Sequence, residues 1–279
     1  DTSNSRLRTP LAMQPRAMSR LLNLSMHMRF GVRCLARATP LRTATRTYSK
    51  NVGTNVEVAK ACIVAADAVC FDVDSTVITE EGIDVLAASL SPEKGEKVAE
   101  YTANAMGGSV PFHVALEARL SIMEPSMQDI EKCMKEHPLE FSPGLESVIS
   151  ILQKKGTKVY LVSGGFRQMI NPIADILGID KKTEVFANNI LFQTDGSYAG
   201  FDEKEPTSRA GGKEKVIQML KDKFGYETVV MVGDGATDME ARPPADAFIG
   251  YGGVAVRAAV KEGADWFVSD FQEVIDVLE

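Results

Sequence analysis

Beyond about residue 55 the chain alternates two apolar patterns: short unbroken runs, and longer stretches where apolar residues return every three or four positions. Ala68–Asp72, Lys158–Val162, Val185–Asn188, Thr228–Val232, Ala247–Tyr251 and Trp266–Ser269 are runs of the first kind. Such runs predict strands buried on both faces, as in a parallel sheet. Helices are predicted between them. Asn55–Ala66 enters the fold. Leu145, Val148, Ile149 and Leu152 share one helical face, with Ser142 and Pro143 as N-cap and first-turn residues and Gly156 as the stop. A further helix follows Ser163 to about Leu177 and ends at Gly178, and another spans Lys213–Phe224. Ile190–Gln193 and Ser197–Gly200 flank Asp195-Gly196 as a hairpin. Alternating strands and helices predict an α/β fold, a doubly wound parallel sheet of Rossmann-like type.

One interval breaks the alternation. Gly82–Leu90, Pro92–Met106, Pro111–Met123 and Ser126–His137 all read as helices, with Ser126 and Asp129 as an N-cap pair and Leu116, Leu120 and Met123 in helical period. This predicts an inserted helical-bundle cap over residues 82–140, within a catalytic core formed by 51–81 and 141–279. No internal repeat or low-complexity tract is present in that body.

Charge separates the first fifty residues from the rest. Nine arginines and Lys50 against Asp1 alone give residues 1–50 a charge of +9, so in a chain of −7 the remainder carries −16. An Arg-, Ser- and Thr-rich, acid-poor segment is the composition of an organelle-targeting leader, predicted to be disordered and to lie outside the fold. A basic nucleic-acid arm is disfavoured, because aromatic residues do not interleave the charges and the body is strongly acidic. No stretch is long and apolar enough for a membrane span. Cys62, Cys70 and Cys133 in the body lack CxxC spacing, and no arginine follows any of them at the spacing a cysteine phosphatase requires, so neither a disulfide framework nor thiol catalysis is predicted. His113 and His137 sit in polar helical segments and read as solvated or capping residues.

Four segments carry chemistry: Asp72-Val-Asp-Ser-Thr76, Val162-Ser-Gly-Gly-Phe166, Gly211-Gly-Lys213 and Val232-Gly-Asp-Gly-Ala-Thr-Asp238. Asp72 and Asp74 leave the carboxyl end of the first strand, where open α/β sheets bind ligands. Asp234 leaves the end of a later strand, and carboxylates so close together require a cation between them. An oxygen-only donor set favours Mg²⁺. Ser163 and Lys213 suit phosphoryl oxygens, as hydroxyl donor and point charge, while Gly164 and Gly165 let backbone N–H groups approach. A calcium loop is excluded because Val77 and Ile83 stand where it needs glycine and glutamate, and a Walker loop because Glu214 stands where it needs Ser or Thr. Each segment alone is a common turn or helix start; all of them in order, each beside a strand or opening a helix, identify a phosphate-handling metal site.

These motifs, with Ala105-Met-Gly-Gly-Ser-Val-Pro-Phe112, Ser163–Pro172 and Gly200-Phe-Asp202, resemble the haloacid dehalogenase-like superfamily and, within it, the phosphoserine phosphatases of plant and other eukaryotic type, from about Asp67 to Glu279. The resemblance implies Asp72 as a nucleophile forming an aspartyl-phosphate and Asp74 as the acid that protonates the departing seryl oxygen and later the base for water. It implies Mg²⁺ held by Asp72, the Asp74 main-chain carbonyl and Asp234, Thr237 as a substrate contact, and Asp238 as the residue that orients Lys213 or a metal-bound water. Glu81 is implied for the substrate ammonium, Arg119 for its carboxylate, and Met106 and Gly107 for the closed pocket. The implied substrate is O-phospho-L-serine, in the last step of serine biosynthesis, and the implied assembly a homodimer. A phosphotransferase, a phosphatase for another small phosphometabolite and a non-catalytic sensor stay open. Arg46-Thr-Tyr-Ser49 resembles a mitochondrial cleavage site, whereas plant-type relatives suggest a plastid.

Overall fold

Each central strand sends alternate side chains into two apolar layers, which explains why none reads as half polar. Val69, Phe71, Val159, Leu161, Val230 and Val232 enter one layer; Ala68, Cys70, Tyr160, Val162, Val229 and Met231 enter the other. The computed structural model describes residues 55–105 and 111–279, so the basic leader and Met106 and Gly107 lie outside the described residues.

The described chain begins with α1 (Asn55–Val64) and β1 (Ala68–Phe71), then runs through α2 (Gly82–Leu90), α3 (Pro92–Ala105), α4 (Phe112–Met123), α5 (Met127–Glu136) and α6 (Leu145–Lys154). Next come β2 (Lys158–Phe166), α7 (Arg167–Ile176), β3 (Val185–Asn188) and the antiparallel pair β4 (Ile190–Phe192) and β5 (Tyr198–Phe201). The remainder is α8 (Gly212–Phe224), β6 (Val229–Gly233), α9 (Ala236–Met239), β7 (Ala247–Tyr251), α10 (Ala258–Gly263), β8 (Trp266–Val268) and α11 (Gln272–Leu278). The sheet order is β3-β2-β1-β6-β7-β8, with every pair parallel. Successive strands add outward from β1 on one side and from β6 on the other, so the order reverses between them and a crevice opens at their carboxyl ends.

Helices α1, α6, α7 and α11 cover one face and α8 and α10 the other. A third apolar cluster unites α2, α3, α4 and α5 through Leu86, Val98, Leu116, Leu120, Met123 and Ile130, with Phe166, Met169 and Ile190 from the sheet side. The Ser126 cap is formed as the spacing predicts: Asp129 N–H donates to Ser126 Oγ at 3.2 Å and Ser126 N–H to Asp129 Oδ2 at 2.9 Å. Among the described residues no helix is long and apolar enough to cross a membrane.

Two boundaries differ from the sequence pattern. Helix α6 does not start on Ser142 and Pro143; it follows Gly144, at φ 82° and without a side-chain cap. Glycine takes that left-handed turn freely, and a Cβ there would stand 3.2 Å from Phe271 Cβ. Strand β2 continues past Val162 to Phe166, its register with β3 shifting in between. Ser163, Gly164 and Gly165 carry no large side chains, so the apolar signal stops before the strand does.

Core packing should dominate stability. Leu161→Ala, at a fully buried position, is expected to cost about 3 kcal/mol in urea unfolding with an unchanged m-value, whereas Ile176→Ala, at a residue 67% exposed, should change it by less than about 0.5 kcal/mol.

Candidate active site

Because Phe71 pairs with Val232 across β1 and β6, the residues just beyond these strands emerge side by side. Asp72 and Asp234 each bring a carboxylate oxygen to the same point as Asp238 from α9, all within 4.8 Å of one another. Lys213, in the first turn of α8, is buried among them, its Nζ 2.8 Å from Asp72 Oδ1 and 2.6 Å from Asp238 Oδ1. Burial alone would lower the Lys213 pKa, but Asp238 and Asp72 outweigh it and raise it, so the ammonium stays charged. Burial also raises the Asp234 pKa, reinforced by Asp72 and opposed by Arg257.

The loop after β1 turns tightly on itself. Val73 N–H donates to Asp72 Oδ1 at 2.7 Å. Ser75 adopts φ 53°, an unusual left-handed conformation for a residue with a Cβ, and its Oγ donates to Glu81 Oε1 at 2.8 Å. Thr76 Oγ1 donates to Asp234 Oδ1 at 3.3 Å, tying the first motif to the last. Asp74 Oδ1 accepts from Gly82 N–H at 2.7 Å. Burial, then Asp72 and Glu81, push the Asp74 pKa up to about 7, so its proton can be given or taken near neutral pH.

The extended tail of β2 forms an adjoining wall. Gly165 N–H donates to Ser163 Oγ at 2.9 Å, and that hydroxyl stands 3.5 Å from Asp74 Oδ2. A Cβ on Gly165 would fall 2.8 Å from Asp74 Oδ2, so only glycine lets the strand approach the acid this closely.

Across the cleft stand Glu81, Ile83, Phe112 and Arg119 from the helical insertion and its approach. Burial lowers the Arg119 pKa, offset first by Asp84 and then by Glu81 and Asp74. Arg257, just before α10, bridges the two sides: its Nε donates to Asp234 Oδ2 at 2.8 Å and an Nη to Glu81 Oε1 at 3.2 Å. The cleft has a volume of about 240 Å³, enough for a small metabolite.

Of the residues singled out from sequence, Asp72, Asp74, Glu81, Arg119, Gly164, Gly165, Lys213, Asp234 and Thr237 line this one cleft. Ser163 and Asp238 lie directly behind it, each fully buried. Sequence reasoning missed Arg257, Ile83, Thr207 and Arg209, and gave no role to Phe112, all in the cleft lining. Arg257 follows Gly252-Gly-Val-Ala-Val256 without a recognisable motif; its only signal is a charge in an otherwise apolar loop.

The donor set suits a hard divalent cation, for it contains only oxygens. Asp238 is already engaged by Lys213 and, at 2.9 Å, by Gly235 N–H. Asp234 is engaged likewise, by Thr76 and Arg257, whereas Asp72 meets Lys213 and Val73 N–H through Oδ1 alone, so among the described residues Asp72 Oδ2 is the oxygen of this cluster left without a protein donor.

A haloacid dehalogenase-like hydrolase family model matches residues 66–246. The phosphoserine phosphatase of Bos taurus is 52% identical over 77% of this chain and 94% of its own length. The chloroplastic phosphoserine phosphatase of Arabidopsis thaliana is 52% identical over 77% of this chain and 72% of its own. Among solved structures, a phospho-aspartyl intermediate analogue of phosphoserine phosphatase is similar with a TM-score of 0.64 at 28% identity, covering 76% of this chain and 98% of that one. The motif order, the converging carboxylates and these similarities together lead to one assignment: the chain belongs to the haloacid dehalogenase-like hydrolases, in their phosphoserine phosphatase family.

Proposed function

We propose that this protein hydrolyses O-phospho-L-serine to L-serine and phosphate through an aspartyl-phosphate on Asp72, with Mg²⁺ as the metal. The observation that carries the reading is the composition of one cleft: Asp72, Lys213 and Asp234 line it together with Glu81 and Arg119, which offer a fixed anion and a fixed cation. Phosphoserine has the matching groups: a phosphate, an ammonium and a carboxylate.

Asp72 attacks phosphorus, the P–O bond to serine breaks, and Asp74 donates its proton to the seryl oxygen. An alkoxide leaves poorly, so this proton transfer lowers the barrier. Asp74, now ionised, takes a proton from the water that attacks the aspartyl-phosphate, returning Asp72 and releasing phosphate. Lys213 balances the phosphoryl oxygens, and Ser163 with the Gly164–Gly165 backbone offers donors beside it. Asp72, the Asp74 main-chain carbonyl and Asp234 would hold Mg²⁺, which would supply positive charge to offset the repulsion between carboxylate and phosphate. Arg119 clamps the substrate carboxylate, Glu81 the ammonium, and Thr237 contacts the phosphoryl group. Met106 and Gly107 are the residues the family resemblance implies for the closed pocket, and α2 to α5 act as the cap that excludes water during phosphorylation. The basic leader, together with the chloroplastic relative, supports delivery to an organelle, a plastid or a mitochondrion, for serine biosynthesis; a homodimer is the assembly expected of this family.

Phosphate release from O-phospho-L-serine tests the reading. Turnover should require Mg²⁺, stop with a chelator and return on Mg²⁺ addition, and Asp72→Asn should abolish it while leaving the fold intact by circular dichroism. Metal-independent turnover, or an active Asp72→Asn, would remove the assignment.

Asp74→Asn should lower kcat for phosphoserine by about 10²–10⁴-fold. With an aryl phosphate, whose phenolate needs no proton to leave, the same variant should give a burst of phenolate and then stall. The absence of a burst would place the acid elsewhere.

Arg119→Ala should raise KM for phosphoserine about tenfold or more while leaving a phosphomonoester without a carboxylate little changed. Equal losses on both substrates would take Arg119 out of carboxylate recognition.

A further inference from the structure

Asn188, the last residue of β3, is fully buried yet does not line the cleft. A primary amide enclosed this way is tolerated only if its donors and acceptor find partners. Its Nδ2 donates to the Gly164 carbonyl at 2.7 Å, and its Oδ1 accepts from Thr207 Oγ1 at 3.2 Å. Both partners line the cleft, from different arms of the fold.

The first bond acts on a rigid unit. The Gly164 carbonyl and the Gly165 N–H belong to one planar peptide, so holding the oxygen sets the direction of the N–H. That N–H donates to Ser163 Oγ, which in turn stands 3.5 Å from Asp74 Oδ2. The second bond acts on the turn Pro206–Ser208, where Thr207 is 4% exposed. The Pro206 and Thr207 backbone packs directly against Gly212, the residue before Lys213. One side chain thus joins the peptide that aims Ser163 to the turn that supports Lys213.

We propose that Asn188 is a positioning residue: through Gly164 and Thr207 it fixes the spacing between the two phosphoryl-binding arms, the Ser163–Gly165 strand end and the start of α8. The proposal rests on the phosphatase reading above. Glycines and a short turn have little side-chain packing to hold them in place, so the amide supplies by hydrogen bonding what packing does not. Loss of either bond leaves a buried polar group unpaired and frees one arm to drift.

The test compares Asn188→Leu, similar in volume but without either bond, with Thr207→Val and Thr207→Ser. It reads kcat and KM for phosphoserine together with product inhibition by orthophosphate and by L-serine. If Asn188 spaces the phosphoryl arms, Asn188→Leu lowers kcat/KM and weakens orthophosphate inhibition, each by about tenfold or more, while L-serine inhibition stays within about twofold. Thr207→Val should show the same selective loss in smaller measure, and Thr207→Ser should restore it. Equal weakening towards orthophosphate and L-serine would indicate general loosening and overturn the proposal, as would unchanged orthophosphate inhibition. Should Asn188→Leu fail to fold, Thr207→Val against Thr207→Ser decides alone: selective loss and rescue support it, and their absence overturns it. If the wild-type protein releases no phosphate from phosphoserine, the function itself is wrong; calorimetric orthophosphate binding by wild type and variants still reads the clamp separately.

Discussion

The buried ammonium of Lys213 is the charge around which the site is arranged. It sits 2.8 Å from Asp72 and 2.6 Å from Asp238, nearly out of contact with water. A lone charge there would be strongly unfavourable, and so would three converging carboxylates without a cation. Each sign makes the other tolerable, so the end of β1, the start of α8 and α9 are held to one geometry. On the proposed function, the same pairing sets the cation that would hold phosphoryl oxygens directly beside the proposed nucleophile, so folding energetics and phosphoryl chemistry would place the same demand on the same residues.

Five carboxyl groups, Asp72, Asp74, Asp234, Asp238 and Glu81, gather with Lys213, Arg119, Arg209 and Arg257, and the close approach of Asp72, Asp234 and Asp238 is where a divalent ion would add positive charge. Arg257 contributes differently from Lys213. By bonding Asp234 and Glu81 together it links the residue proposed to hold the metal to the residue proposed to meet the substrate ammonium. Glu81 is thereby shared among Ser75, Arg257 and, on the proposed function, the substrate ammonium. Substrate recognition and metal binding are accordingly expected to be coupled through one guanidinium.

Most strands and helices were legible because their burial is written in apolar period: both-faced runs for the parallel strands, three-and-four spacing for the covering helices. The places that were misread lack that signal. At the start of α6 a left-handed glycine overrides the Ser142-Pro143 cap pattern, and at the end of β2 a serine and two glycines carry the strand without an apolar side chain to mark it. Site residues divide in the same way. Asp72, Asp74, Lys213 and Asp234 stand in motifs whose local geometry repeats wherever the chemistry does. Arg257 and Asn188 belong to no such motif, for each acts by contacts with residues far along the chain.

The succession of strands along the chain, the inserted helices, the acidic and glycine-rich motifs and the chemical class they serve were determined by the sequence alone, because burial pattern and local turn chemistry depend on neighbouring residues. Which charges pair, which proton is held near neutrality and which amide joins two arms were decided only by the tertiary structure. Those properties arise from distances of 2.6 to 3.5 Å between side chains separated by up to 176 positions, and from the removal of water around them, which no local pattern of residues encodes.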